Sequence, residues 1–96
     1  MYVIIAYDVN TETPAGKKRL RQISKSCLNY GKRVQNSLFE CLIDYGTFLT
    51  LKKRIEDIMD KEKDSLRYYY LGNKWKGKIE HIGNKETVDL DGPLIL

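Results

Sequence analysis

Histidine and cysteine, two residue types that often serve metal-binding and nucleophilic sites, are scarce in this chain. Its 96 residues include one histidine and two cysteines. Cys27 and Cys41 lack metal-type spacing and each lies in an apolar pattern, so we expect reduced core thiols rather than a disulfide or a zinc site. His81 lies between Glu80 and Ile82 in a strand-like segment, where a lone histidine is most often structural. We therefore assign it no catalytic role.

Long apolar runs are also absent. The run at residues 2–7 is far too short for a signal-peptide core or a membrane span, and it has no basic leader. There are no repeats, linkers or low-complexity tracts, and the length suits one small domain. We expect a cytoplasmic protein without a membrane partner, folded as a single domain over residues 1–96.

Positive charge is in excess. The chain has 17 lysine and arginine residues against 13 aspartate and glutamate residues, which gives a formal net charge of +4 and favours a polyanionic partner. Clustered basic side chains supply the salt-sensitive, sequence-independent part of nucleic-acid binding. For any single lysine, an ordinary solvated helix face is the alternative. The candidate nucleic-acid-binding residues are Lys17, Lys18, Arg19, Arg21, Lys32 and Arg33.

The apolar patterns predict an α+β domain. Residues 2–7 are rich in aromatic and β-branched side chains, as is typical of a buried central strand. Apolar residues at steps of three and four predict a helix over residues 17–30, with Pro14 suited to its start. The later segments are a bulged strand or tight hairpin at 33–44, a helix opening at 46–47, a solvated charged turn at 60–64, a strand at 65–71, a loop at 72–78 and a short strand at 79–82. This order predicts a ferredoxin-like sandwich, in which two helices cover one face of an antiparallel sheet.

Both faces of the predicted sheet are apolar. In the first strand Ile4 and Ala6 oppose Val3, Ile5 and Tyr7, whereas an antiparallel sheet with one wet face alternates more cleanly. Because two helices cover only one face, the other face needs a cover from outside the chain. A symmetric homodimer that pairs sheet against sheet is the simplest cover. The C-terminal segment, at about residues 86–96, is then a candidate strand for the partner's sheet edge.

Asp8 is the first charged residue and directly follows the apolar run. A carboxylate at the end of a buried strand has rigid support at the rim of the sheet, where catalytic and metal-binding acids are useful. Capping of the turn that follows, Asp8-Val9-Asn10-Thr11, is the alternative. In a twofold dimer, two copies of Asp8 can face each other and share one Mg²⁺ or other divalent cation. Water and phosphate oxygens would complete its coordination.

Three motifs together resemble the CRISPR-associated protein 2 family. They are Tyr7-Asp8-Val9 at the end of the first strand, Lys18-Arg19-Leu20-Arg21 at the start of the helix, and Arg-Val-Gln-Asn-Ser-Leu-Phe-Glu at residues 33–40. The last of these is the most specific. The likeness continues through residues 70–73, 88–90 and 93–96, so it covers essentially the whole chain.

The resemblance implies a ferredoxin-like homodimer in which Asp8 of each subunit binds a divalent metal at the interface. It implies metal-dependent nuclease activity on RNA or double-stranded DNA in some members, and a scaffold role beside the CRISPR integrase when new spacers are captured. Carried over by position, Asp8 is the catalytic metal ligand, and the supporting or substrate-contacting residues are Tyr7, Arg19, Arg33, Ser37 and Phe39.

Two functions therefore stay open. The first is a magnesium-dependent endonuclease. The second is a non-catalytic scaffold that holds duplex DNA against integrase dimers.

Overall fold

The computed structural model of this protein describes residues 1–72 and 78–84. These residues form one antiparallel sheet with the strand order β2-β3-β1-β4-β5. The elements are, in chain order, β1 (Tyr2–Asp8), α1 (Pro14–Leu28), β2 (Lys32–Gln35), β3 (Leu38–Leu42), α2 (Tyr45–Ile58), β4 (Ser65–Leu71) and β5 (Ile79–Gly83). The first six follow the β-α-β-β-α-β order of the ferredoxin-like motif. The predicted fold class is confirmed.

The first helix begins three residues before the predicted start. Pro14 lies in its first turn, where a missing N–H costs nothing, and Thr13 caps the helix by accepting a hydrogen bond from the Gly16 N–H at 3.1 Å. Asp44 caps the second helix in the same way, accepting from the Thr47 N–H at 2.9 Å. Both helices thus begin at a polar side chain that satisfies a free backbone donor.

The segment at residues 33–44 is a hairpin, one of the two forms that the sequence indicates. Asn36 and Ser37 form the turn between β2 and β3. Arg33 pairs with Phe39 and Gln35 pairs with Leu38, and the register shifts between these two pairs. The hairpin therefore contains an irregularity as well as a turn.

The core lies between the helices and one face of the sheet. That face carries the side chains of Val3, Ile5 and Tyr7 in β1. The other core residues, from the neighbouring strands and both helices, include Ile23, Cys27, Phe39, Cys41, Phe48, Leu51, Ile55, Leu66, Tyr68 and Tyr70.

The two cysteines are inert members of this core. Both are free and buried, as predicted. Burial raises the pKa of Cys27 to about 12 and the pKa of Cys41 to about 11. Since the thiolate is the reactive form, neither side chain is a candidate nucleophile.

The opposite face, which we call the outer face, has no helix over it among the described residues. Alternation along each strand places Ile4 of β1, Leu42 of β3 and Ile79 of β5 on this face. Leu42 is 75% exposed and Ile79 is 42% exposed. The predicted homodimer, which would cover these side chains, stays a prediction.

Some predictions fall outside the described residues. These are residues 73–77 of the predicted loop and the C-terminal segment at 86–96, for which the sequence predicts pairing with the partner's sheet edge. In the part of the chain that the structure describes, no helix is long and apolar enough to cross a membrane.

Candidate active-site cleft

Asp8 is the last residue of β1 and is exposed. Because Tyr7 points into the core, Asp8 points to the outer face. Its cross-strand partner in β4 is Ser65. Together they line a cleft of about 330 Å³, whose walls are Asp8, Asn10, Thr11, Glu12, Lys63, Ser65 and Asn84. The cleft is polar and opens at the rim of the sheet.

The turn that follows β1 is capped by Asn10. The Asn10 side-chain oxygen accepts a hydrogen bond from the Glu12 N–H at 2.9 Å. Across residues 1–72 and 78–84, no hydrogen bond to the carboxylate of Asp8 is found. Within the described residues the turn is therefore capped by Asn10 and not by Asp8, and the metal-ligand role of Asp8 stays a prediction.

The cleft offers oxygen donors of the kind that hard cations prefer. Asp8 and Glu12 are its carboxylates, and Asn10, Thr11, Ser65 and Asn84 add amide or hydroxyl oxygens. No group of three or more histidine, cysteine, aspartate or glutamate side chains that could hold a metal occurs among the described residues. These oxygen donors fit the chemistry of Mg²⁺, and a metal site at Asp8 stays a prediction.

Asp64 lies directly behind the cleft, and the prediction of a solvated turn at residues 60–64 is wrong for this residue. Its side chain has no exposed surface. Arg19 donates from Nε to Oδ2 at 2.8 Å and from Nη2 to Oδ1 at 3.3 Å. The backbone N–H groups of Asn10 and Asp60 donate to the same carboxylate, at 3.0 and 2.9 Å. Asp64 thus accepts four hydrogen bonds, which is why it is buried although its neighbours are charged and exposed.

The pKa of Asp64 reflects these contacts. Burial alone raises the pKa of a carboxyl group, but the hydrogen bonds from Arg19, Asp60 and Asn10 outweigh burial and lower the pKa of Asp64 below its ordinary value. The same contact raises the pKa of Arg19. Asp64 is therefore ionised at neutral pH, and Arg19 balances its charge.

Asp64 is not recognisable from the sequence, because it belongs to the charged run at residues 60–64, which is typical of a solvated turn. One signal was available. Asp64 immediately precedes the apolar strand β4, just as Asp8 closes the apolar strand β1.

The supporting residues Tyr7, Ser37 and Phe39 hold β1 against the β2–β3 hairpin. The Tyr7 hydroxyl lies 2.8 Å from Ser24 Oγ and donates to the Asn36 carbonyl at 3.1 Å. The Tyr7 N–H donates to the Ser37 carbonyl at 3.0 Å. The rings of Tyr7 and Phe39 stack with centroids 5.8 Å apart. Burial raises the pKa of the Tyr7 hydroxyl, although the hydrogen bond with Ser24 opposes the shift. These contacts fix the strand that ends in Asp8.

Five of the six basic candidates are exposed, and Arg19 is the exception. Lys17, Lys18 and Arg21 are exposed on α1, whereas Arg19 is held by Asp64 with only 15% of its side chain exposed. Lys32 and Arg33 are exposed on β2, the edge strand that β3 separates from β1. The Arg33 guanidinium lies 5.3 Å from the centroid of the Phe39 ring. Among the residues that the structure describes, Lys63 is the basic side chain that lines the cleft, although the sequence predicts a solvated turn there.

Comparison with known proteins identifies the family. The family model described as CRISPR associated protein Cas2 matches residues 1–79. The chain belongs to the Cas2 family.

Close relatives cover the whole chain. The CRISPR-associated endoribonuclease Cas2 of Chlorobaculum tepidum is 54% identical over 96 residues, which is 100% of both chains. The CRISPR-associated endonuclease Cas2 of Halalkalibacterium halodurans is 54% identical over 95 residues, or 99% of each chain. The crystal structure of Streptococcus pyogenes Cas2 at pH 6.5 superimposes with a TM-score of 0.70 at 51% sequence identity, covering 86% of this chain and 100% of that one. These similarities confirm the resemblance that the motifs indicated.

Proposed function

We propose that this Cas2 protein is a metal-dependent endonuclease that hydrolyses phosphodiester bonds in RNA or double-stranded DNA and acts in CRISPR spacer acquisition. The observation that carries the proposal is Asp8, an exposed carboxylate on a rigid strand end, in a polar cleft. The names endoribonuclease and endonuclease, carried by relatives with 54% identity, support the activity. The family's setting and the two free thiols favour a cytoplasmic location.

Asp8 is the residue that would hold Mg²⁺. A bound divalent cation supplies an activated water molecule and neutralises charge on the scissile phosphate. The other cleft residues orient the substrate: Lys63 offers a positive charge to the phosphate backbone, and Ser65 and Asn84 offer hydrogen bonds. Arg33, Lys32 and the exposed basic residues of α1 extend the contact along the nucleic acid.

A homodimer would complete the site. Asp8 shares the outer face with the exposed side chains of Leu42 and Ile79, although Leu42 lies at the other end of β1. A second copy that covers the whole length of this face would bring the two Asp8 carboxylates together, and one cation would bind between them.

The alternative is a non-catalytic scaffold that bridges CRISPR integrase dimers on DNA. One observation favours the scaffold. The described residues of one chain contain no cluster of three metal-ligating side chains. A scaffold uses the same basic surface and the same dimer.

Cleavage of labelled RNA and duplex DNA by the purified protein separates the two functions. The endonuclease should cut at least one substrate with Mg²⁺ and neither with a chelator. Binding of both without any cleavage would support the scaffold.

A further inference from the structure

We propose that the Arg19–Asp64 ion pair positions the cleft around Asp8, so that Arg19 is a positioning residue and not a nucleic-acid contact. The proposal rests on the function proposed above for Asp8. It assigns a role to Asp64, and it replaces the binding role that the basic cluster suggested for Arg19.

The first observation is that Arg19 binds Asp64 through two hydrogen bonds. The guanidinium binds the carboxylate through two nitrogens, Nε at 2.8 Å and Nη2 at 3.3 Å. Because two of its nitrogens donate to Asp64, the Arg19 guanidinium is directed at this carboxylate rather than at solvent. A phosphate contact by Arg19 would leave a buried carboxylate charge without its counter-charge, which is strongly unfavourable.

The second observation is that Asp64 accepts hydrogen bonds from two residues that line the cleft. Its carboxylate accepts from the N–H of Asn10, two residues after Asp8, and its backbone carbonyl accepts from the N–H of Asn84 at 2.9 Å. Lys63 and Ser65 are its chain neighbours. Four of the seven cleft residues are thus bonded to Asp64 or adjacent to it.

Gly83 shows how tightly this region is packed. Its φ of 99° lies in the left-handed region, and a Cβ there would collide with the Asp64 carbonyl. The end of β5 therefore packs against the Asp64 backbone. The loop after β1 and the side chain of Arg19 contact the Asp64 carboxylate.

The test compares Arg19→Ala with Arg21→Ala, an exposed arginine two residues away on the same helix. Arg19→Ala should lower kcat by about 100-fold, the effect of misplacing a reacting group by about 1 Å. It should leave the affinity for duplex DNA and its salt dependence unchanged. For Arg21→Ala, by contrast, the salt slope of binding should fall by about one, because an exposed arginine that contacts a phosphate is removed.

Amide hydrogen exchange provides a readout that does not need activity. In Arg19→Ala the N–H groups of Asn10 and Asn84 should exchange at least about tenfold faster, as local opening predicts, while the amide of Ile5 in central β1 keeps its protection. Arg19→Lys, which keeps the charge but not the two-pronged geometry, should give a smaller change in the same direction. It serves as the test if Arg19→Ala does not fold.

Two results would overturn the proposal: unchanged exchange at Asn10 and Asn84, or a drop in salt slope for Arg19→Ala equal to that for Arg21→Ala. If the wild type does not cleave nucleic acid, the endonuclease proposal fails, and exchange and salt slope still decide the role of Arg19.

Discussion

Asp8 and Ser65 face each other across the antiparallel β1–β4 pair, at the last residue of one strand and the first residue of the other. The central strand β1 therefore ends at the cleft, where its neighbour β4 begins. A strand that is paired on both sides gives a side chain rigid support, and a catalytic carboxylate needs such support. The loop after β1 and the turn before β4 then supply the remaining walls.

The outer face provides a test of the homodimer. Light scattering should give about twice the chain mass of 11.2 kDa at micromolar concentration. Charges at Leu42 and Ile79, introduced as L42E together with I79E, should shift the protein towards monomer because they cannot be buried against a second copy. The matched control is L28E with L49E, two exposed leucines on the helices. A monomeric wild type, or equal dissociation by both double variants, would remove the argument for paired Asp8 residues.

Arg33→Ala tests whether the basic residues bind nucleic acid through its phosphates. Arg33 is exposed on β2 and rests on the Phe39 ring. Arg33→Ala should weaken binding to all duplex sequences similarly and reduce the log–log salt slope by about 0.9 for each phosphate that Arg33 neutralises in the wild type. Arg54→Ala is the control, since Arg54 lies on α2 and donates to Ser26 at 3.0 Å. Weaker binding to one sequence only would indicate base recognition instead.

Asp64 predicts a specific loss of stability in acid. Its folded-state pKa is depressed, whereas its unfolded-state pKa is about 3.9. The stability that it contributes is therefore fully present above about pH 4 and is lost as the pH falls through the lower folded-state pKa. Urea unfolding from about pH 6 to about pH 2 should show a shallower decline for Asp64→Asn than for the wild type, from a lower starting value. Asp57→Asn, at an exposed helix carboxylate, should keep the wild-type profile. Parallel curves for Asp64→Asn and the wild type would contradict the depressed pKa.

Tyr7→Phe tests whether the Tyr7 hydroxyl supports the fold or takes part in catalysis. Tyr7→Phe keeps the ring that stacks on Phe39 but removes the hydroxyl that contacts Ser24 and Asn36. The free energy of unfolding should fall by about 1 kcal/mol, the usual net value of a hydrogen bond. Cleavage at saturating substrate should change little. A large decrease of kcat in a variant of near-normal stability would place the hydroxyl in the reaction.

The sequence predicted the strands and the fold class well because their signals are local. The strand predicted at residues 65–71, which contains three consecutive tyrosines, has the observed bounds of β4. Pro14 was recognised as suited to a helix start, but the apolar pattern placed the start of α1 three residues too late. The two-strand interpretation of residues 33–44 could not be separated from a bulged strand, because Asn36 and Ser37 suit either form.

The site was only partly predictable. Asp8 is conspicuous because it ends an apolar run, but Lys63 and Asp64 lie in a run of charges that resembles a solvated turn. Burial of Asp64 depends on Arg19, which is 45 residues away in sequence. No local pattern reveals a pairing of that kind, because it arises only when the fold brings α1 beside the turn that precedes β4.

The most direct measurement of the central claim is the cleavage rate of Asp8→Asn with Mg²⁺, beside Glu12→Gln, the other carboxylate of the cleft. Asparagine keeps the size and shape of Asp8 but removes the charge that a hard cation prefers. Asp8→Asn should stay folded and bind nucleic acid as the wild type does. Its cleavage rate should fall by more than about 100-fold, because the loss of a metal ligand should exceed the loss of a residue that only hydrogen-bonds to a ligand. Glu12→Gln should retain most of the activity. Cleavage by Asp8→Asn at the wild-type rate would contradict the account and place the active site elsewhere.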